Sequence, residues 1–207
     1  MLYAIGPDGN KIRPGKGLAA VCSGCGAFMV PKCGKIKIWH WAHETNEDCD
    51  AWSDGETEWH LGWKANFPKE SVEVHIDRDG TKHYADVLTP KGIVIELQHS
   101  PISPDVIKER EQFYRNMIWV FDLKAPFDFG RLRLHLQSST GSARFTWYRP
   151  KSSLQHISKE MYWDCGIESL FKPTVKNLSG GLGIMVDKHK FIELHRETPK
   201  AHQPNLF

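Results

Sequence analysis

KHYADVLTPKGIVIELQHS, residues 82–100, is the stretch that decides the fold. It reads as a β-hairpin whose turn sets the register. Pro90 and Lys91 suit the centre of a type I turn, and Gly92 suits the left-handed position after it. Together they make a three-residue loop with a G1 bulge. Thr89 then faces Ile93, and Asp86 faces Glu96. Directly opposed residues share a face, with Cβ atoms about 4.5–5.5 Å apart, so these two carboxylates can share a divalent metal ion. A two-residue loop would slip the register by one and send the acids to opposite faces. In the bulged register Ala85, Val87, Ile93, Ile95 and Leu97 fall on one face, and Tyr84, Asp86, Glu96, Gln98 and Ser100 on the other. Like charges placed opposite each other are destabilising, which favours a metal site over an ordinary solvated strand face.

Working outward, the hairpin is one piece of a helix, strand, strand, strand, helix, strand series. SDGETEWHLGWKANF (53–67) reads as a helix with Ser53 or Asp54 as N-cap and Trp59, Trp63 and Phe67 on a buried stripe. Glu56, His60 and Lys64 recur every fourth residue and form a second, polar stripe. SVEVHIDR (71–78) is a strand with Val72, Val74 and Ile76 toward the core, and Asp79-Gly80 closes a two-residue turn into the next strand. That register sets Glu73 opposite Asp86, as a neighbouring acid and not a ligand. After the hairpin, Ser103 caps a helix with Pro104 in its first turn; this helix carries Arg110 and Tyr114. A crossover through it places NMIWVFDL (116–123) parallel to the Glu96 strand.

The N-terminal 50 residues are of another kind. Four of the five cysteines lie there, and with no export signal such clustering points to metal before disulfides. Cys22 and Cys25, around a glycine turn, are followed by His40 and His43 in the pattern C-x2-C-x14-H-x2-H. This is near the usual zinc spacing, and Cys33 and Cys49 are rival ligands, Cys49 the foremost substitute. Four protein ligands would make the zinc structural, and it would supply folding energy to a module too small for a core of its own.

The chain resembles the competence protein CoiA-like family, whose nuclease domain belongs to the PD-(D/E)XK superfamily. The residues that carry the likeness are Cys22, Cys25 and HWAH at 40–43, GETEWHLGWK with Glu56, His60 and Lys64, YADV with Asp86, IELQHS with Glu96, Gln98 and Ser100, and Arg110 with Tyr114. It spans roughly residues 22–119. The resemblance implies an α+β fold with a restriction-endonuclease-like αβββαβ core, and a role in handling single- or double-stranded DNA. Gln98 stands where the superfamily name has lysine; Lys64 is the candidate for the missing cation. The expected chemistry is Mg²⁺ (or Mn²⁺) held by Asp86 and Glu96, with Glu56 completing the shell. Gln98 and Lys64 would place water and phosphate, His60 would assist, and Ser100, Arg110 and Tyr114 would contact substrate. A non-catalytic zinc-bearing DNA-binding or adaptor protein on a degenerate nuclease core is the alternative.

Composition sets the outer bounds. The 207 residues carry a net charge of only +2, so a nucleic-acid footprint must be local, and 40% hydrophobic residues with eight tryptophans are enough for a real core. No apolar run approaches a membrane span and MLYAIGPDGN lacks a signal-peptide pattern, so a cytoplasmic protein is expected. Residues 1–50 are the zinc module, 51–123 the nuclease core, and 124–207 a β-rich extension packed on it. In that extension RLRLHLQSS, ARFTWYRP, KEMYWDCGIESLFKPTVK and GIMVDKHKFIEL read as strands, and the tail from Arg196 as loosely ordered.

Overall fold

The computed structural model describes residues 1–44, 50, 52, 55–137, 141–175 and 177–198. Five short strands open the chain: β1 (Ala4–Ile5), β2 (Lys11–Ile12), β3 (Ala20–Val21), β4 (Phe28–Lys32) and β5 (His40–His43). They pair antiparallel in the order β2-β1-β3-β4-β5. Ala4, Ala20, Cys22, Met29 and Trp41 are their small core. Such a core is thin for independent stability.

The module is tied to the rest through backbone groups. Glu73 accepts the N–H of Leu2 and of Tyr3 at 2.8 and 3.0 Å, and Lys11 Nζ donates to the carbonyls of Val72 and Glu73.

Next come α1 (Glu58–Lys64), β6 (Val72–Arg78), β7 (Thr81–Leu88), β8 (Val94–Gln98), α2 (Pro104–Tyr114) and β9 (Met117–Asp122). This is the αβββαβ order expected from the pattern. β6, β7 and β8 are antiparallel, and β9 lies parallel to β8. Both turns set the registers read from the sequence. Arg78 pairs with Thr81 across Asp79-Gly80, both at positive φ. Val87 pairs with Ile95 and Leu88 with Val94, while Thr89 exchanges backbone bonds with Ile93 and Gly92, and Gly92 has φ +70°. Only glycine takes that backbone without strain.

The chain continues through α3 (Lys124–Asp128), β10 (Leu132–Leu136), β11 (Ser142–Trp147), β12 (Glu160–Asp164), β13 (Ser169–Pro173), β14 (Gly180–Asp187) and α4 (Lys188–Arg196). These C-terminal strands do not cover the core sheet; they lengthen it. β12 pairs parallel with β9, giving one nine-stranded sheet in the order β10-β11-β14-β13-β12-β9-β8-β7-β6. One face packs Trp63 and Phe67 from the α1 region with Phe191 and Ile192 of α4. The other packs Ile107 and Tyr114 of α2 with Trp119, Phe145 and Trp163. Asp164 joins the helices of the first face, its Oδ2 accepting from Trp59 Nε1, Trp63 Nε1 and Lys188 Nζ.

Three expectations are corrected. α1 begins at Glu58, capped by Thr57, whose hydroxyl accepts the His60 N–H while His60 Nδ1 accepts from Thr57. A reciprocal cap of this kind outcompetes an earlier start; Ser53 and Asp54 lie outside the described residues, as does most of the tail. Second, HKFIEL is helical, because Phe191, Ile192 and His195 fall on one buried helical stripe after the Asp187 cap. Third, strand alternation breaks at Glu73, which sits at φ +48° between the pairs Val72–Val87 and Val74–Ala85. As a result Val72 and Val87 pack on the α1 face, whereas Ile76 and Ala85 pack on the α2 face and Val74 is half-buried.

Candidate functional site

Asp86 and Glu96 stand side by side where β7 and β8 part. Regular pairing ends at Val87–Ile95, and the next backbone donors are taken by the two carboxylates. Glu96 Oε1 accepts the Asp86 N–H at 3.3 Å, and Asp86 Oδ2 accepts the Leu97 N–H at 2.9 Å. Each acid thus binds the opposite strand, which fixes both at one spot. They line a cleft of about 750 Å³ between the core and the N-terminal module.

Lys64 enters this cluster from α1. It is 3% exposed, and its Nζ lies 2.5 Å from Glu56 Oε1, 3.2 Å from Glu73 Oε1 and 3.0 Å from Asp86 Oδ1. Burial alone would lower its pKa, but the three carboxylates overcome this and raise it well above the usual value. A charged ammonium is therefore fixed here, not a solvated helix lysine. Arg110 from α2 donates to Glu96 Oε2 at 2.9 Å and, with its other terminal nitrogen, to the Trp52 carbonyl.

Fully ionised, the four carboxylates would outnumber the two side-chain cations by two negative charges. The titration of the acids reflects it. Burial, with the Asp86 charge beside it, pushes Glu96 up to about 8 against the pull of Arg110. Burial and the charges of Glu73 and Asp86 push Glu56 up to about 7 against Lys64. Glu73 goes the other way: burial would raise it, but Lys64 and the Leu2 and Tyr3 N–H groups hold it at about 2. Glu56 Oε2 is buried with no hydrogen-bond partner.

Of the remaining sequence candidates, His60 lines the cleft and Gln98, Ser100 and Tyr114 lie further back. His60 uses both ring nitrogens, Nδ1 on Thr57 and Nε2 donating to the Leu97 carbonyl at 3.2 Å, and burial lowers its pKa. It positions the Glu96 strand and makes no bond to Glu56. Gln98 is 2% exposed; its Nε2 donates to the Ser100 carbonyl at 2.9 Å and its Oε1 lies 3.4 Å from Arg110 Nη1. Neither Gln98 nor Ser100 lines the cleft. Tyr114 is 1% exposed within the α2 face of the core, its hydroxyl donating to the Tyr84 carbonyl.

Sequence reading missed Asp50. It lines the cleft, receives the Tyr84 N–H and pairs with His83 Nδ1, both at 2.8 Å. An isolated acid after the cysteine-rich stretch gave no signal of this.

In the module, Cys22, Cys25 and His43 have ligand atoms all within 4.8 Å of one another, the one such group of three among the described residues. Cys25 Sγ and His43 Nε2 are 3.3 Å apart, the order of separation that ligands about 2.0–2.3 Å from a tetrahedral zinc adopt. Burial would raise the Cys22 thiol, yet bonds from Tyr84 and from the Cys25 and Gly24 N–H groups bring it down to about 6. This group can hold a metal ion such as zinc. A Cβ on Gly24 would come within 2.7 Å of the Tyr84 hydroxyl and the His75 ring, so any larger residue there would push these side chains aside.

His40 is not part of the group. The two histidines lie three apart on strand β5, and an odd spacing on a strand sends side chains to opposite faces. His40 pairs with Lys32, while His43 pairs with the buried Met29. Cys33 is outside the group too, and Cys49 lies outside the described residues. His43→Ala should therefore lower bound zinc from about one ion per chain to a small fraction, and His40→Ala should leave it unchanged; metal analysis of the purified variants checks both.

No curated protein and no solved structure matches the chain. Residues 18–51, which hold Cys22, Cys25 and His43, match the family model described as competence protein CoiA, N-terminal domain, so that stretch is similar to this family.

Proposed function

We propose that the chain is a metal-dependent nuclease that hydrolyses phosphodiester bonds in DNA, with a PD-(D/E)XK-type site. The observation that carries the reading is the Asp86–Glu96 pair, each carboxylate locked by the other strand's backbone at the cleft between core and module. Asp86 and Glu96 would hold one Mg²⁺ or Mn²⁺, an ion that needs only one or two carboxylates and offsets the excess negative charge. Such an ion, when bound, supplies an activated water and stabilises charge on the phosphate.

The chain's own groups do the rest. Lys64 holds the Asp86 carboxylate through its Oδ1, and brings to the site the positive charge that Gln98 lacks. Arg110 holds Glu96 through its Oε2. Glu56, poised near neutrality and with its Oε2 unpartnered at the cleft, is the group placed to take a proton from an entering water.

Cleavage of labelled single- and double-stranded DNA and RNA, in Mg²⁺ or Mn²⁺ against a chelator, tests the reading. Metal-dependent cleavage of DNA is expected. Intact substrates under every condition would overturn it in favour of a non-catalytic, zinc-bearing DNA-binding or adaptor protein. The latter reading draws on the Lys64 ammonium seated among the acids and on Gln98 facing away from the cleft.

A pH dependence follows from the raised acids. Glu56 and Glu96 bind protons in the folded state at pH values where the unfolded chain has lost them, from about 4.5 up to about 7 and 8. Stability without divalent metal should therefore fall as pH rises through that window. Mg²⁺ or Mn²⁺ competes with those protons, so it should raise the melting temperature more at about pH 8.5 than at about pH 6. Melting curves with the zinc site kept loaded give the answer, and an equal shift at both pH values would count against a metal on these carboxylates.

A further inference from the structure

Outside the acid cluster, the feature least explained by folding is the exposed apolar and basic rim of the N-terminal module. Ile36 is 98% exposed, Phe28 71% and Trp39 45%. Lys32, Lys35 and Lys37 are exposed among them. These residues form one structure. On β4 and β5, Lys32 is paired with His40 and Val30 with Ala42, and Phe28 shares their face, opposite the buried Met29 and Trp41. The connection between the strands carries Lys35, Ile36, Lys37 and Trp39, and Trp39 Nε1 donates to the Gly34 carbonyl at 3.0 Å, which pins the indole in place.

This rim is continuous with the candidate active site. Ile36, Lys37 and His40 line the same cleft as Glu56, Lys64, Asp86 and Glu96. His40 Nδ1 donates to the Ile38 carbonyl, which leaves Nε2 as the nitrogen open to a ligand. A chain of net charge +2 thus places Lys37 at an acid-lined cleft, with Lys32 and Lys35 close to it in sequence, where repulsion between phosphates and carboxylates otherwise opposes substrate entry.

Resting on the nuclease reading above, we propose that the substrate enters as a single strand of nucleic acid, held by this lysine-rich, Trp39-bearing finger before it reaches Asp86 and Glu96. The chemistry matches the occupant. Flat apolar side chains interleaved with cations stack unpaired bases and follow the phosphates, whereas a duplex hides its base faces. Glu96, at 2% exposure, lies deep, so a flexible strand reaches it where a rigid duplex is held off by the module wall.

The test is binding of a fluorescent single-stranded oligonucleotide and its blunt duplex to the zinc-loaded full chain, in a chelator-free buffer without Mg²⁺ or Mn²⁺, so that cleavage plays no part. The single strand should bind at least about 10-fold more tightly than the duplex. Trp39→Ala should weaken single-strand binding about 10-fold, and Trp39→Phe, which keeps a stacking ring without the Gly34 bond, should retain most of it. Lys35→Ala with Lys37→Ala should reduce the salt slope of single-strand binding by about 1.4. Equal or tighter duplex binding, unchanged affinity in Trp39→Ala, or an unchanged salt slope would each overturn the finger. A protein that binds this way yet cleaves nothing would instead overturn the nuclease reading and leave the finger standing.

Discussion

Glu96→Gln is expected, on the proposed nuclease reading, to give a folded protein that cleaves DNA at least about 100-fold more slowly, a loss on the scale of removing one preorganised electrostatic group. The substitution is close in shape to the protonated acid, the form favoured when Glu96 is pushed up to about 8. Its amide must face either the Asp86 N–H or Arg110, one of which then loses an acceptor. That costs about 1–3 kcal/mol for a buried, unsatisfied donor, too little to unfold an ordinary domain. Cleavage rates with thermal melts on the same sample separate the two effects. Near wild-type cleavage by a well-folded Glu96→Gln protein would remove Glu96 from the chemistry.

The second large effect is on stability. Lys64→Met keeps the apolar stem but removes the ammonium that pairs with Glu56, Glu73 and Asp86. Breaking a buried ion cluster from one side leaves charge uncompensated, and the cost is about 3–5 kcal/mol. The cost should depend on pH in a direction set by the acids. At about pH 5 Glu56 is protonated in the folded state and the penalty shrinks; at about pH 8 it is largest. Mg²⁺ or Mn²⁺ should recover part of the loss. Chemical denaturation of both proteins at the two pH values measures this, and a pH-independent difference would mean the lysine stabilises by packing alone.

The hairpins were legible because turn chemistry is local. Pro90, Gly92 and Asp79-Gly80 dictate their own dihedral angles, and register follows by counting. The αβββαβ order was legible for the same reason, as capping and periodicity are read within one turn or one strand. What could not be read were consequences of contacts far apart in sequence. Glu73 takes its left-handed backbone while bonding the Leu2 and Tyr3 N–H groups, and no local pattern signals a partner seventy residues away. That kink changes which face Ile76 and Ala85 cover. HWAH shows a different limit. Spacing along the chain does not say whether a segment is helix or strand, and on a strand the rule of alternate faces separates His40 from His43. At the acid cluster, the meeting of Lys64 with Glu56 and Asp86 was legible; that Gln98 and Tyr114 are turned into the interior was not, because α2 and Arg110 decide it.

The parallel pairing of β12 with β9 has a practical result for anyone dissecting the chain. A fragment cut after residue 123 would leave β9, whose Val120 and Trp119 are fully buried here, with a bare row of amide and carbonyl groups along a hydrophobic ribbon. Open edges of that sort recruit other polypeptides, so such a piece should self-associate when expressed alone, and the proposed cleavage is best assayed with the last third of the chain attached.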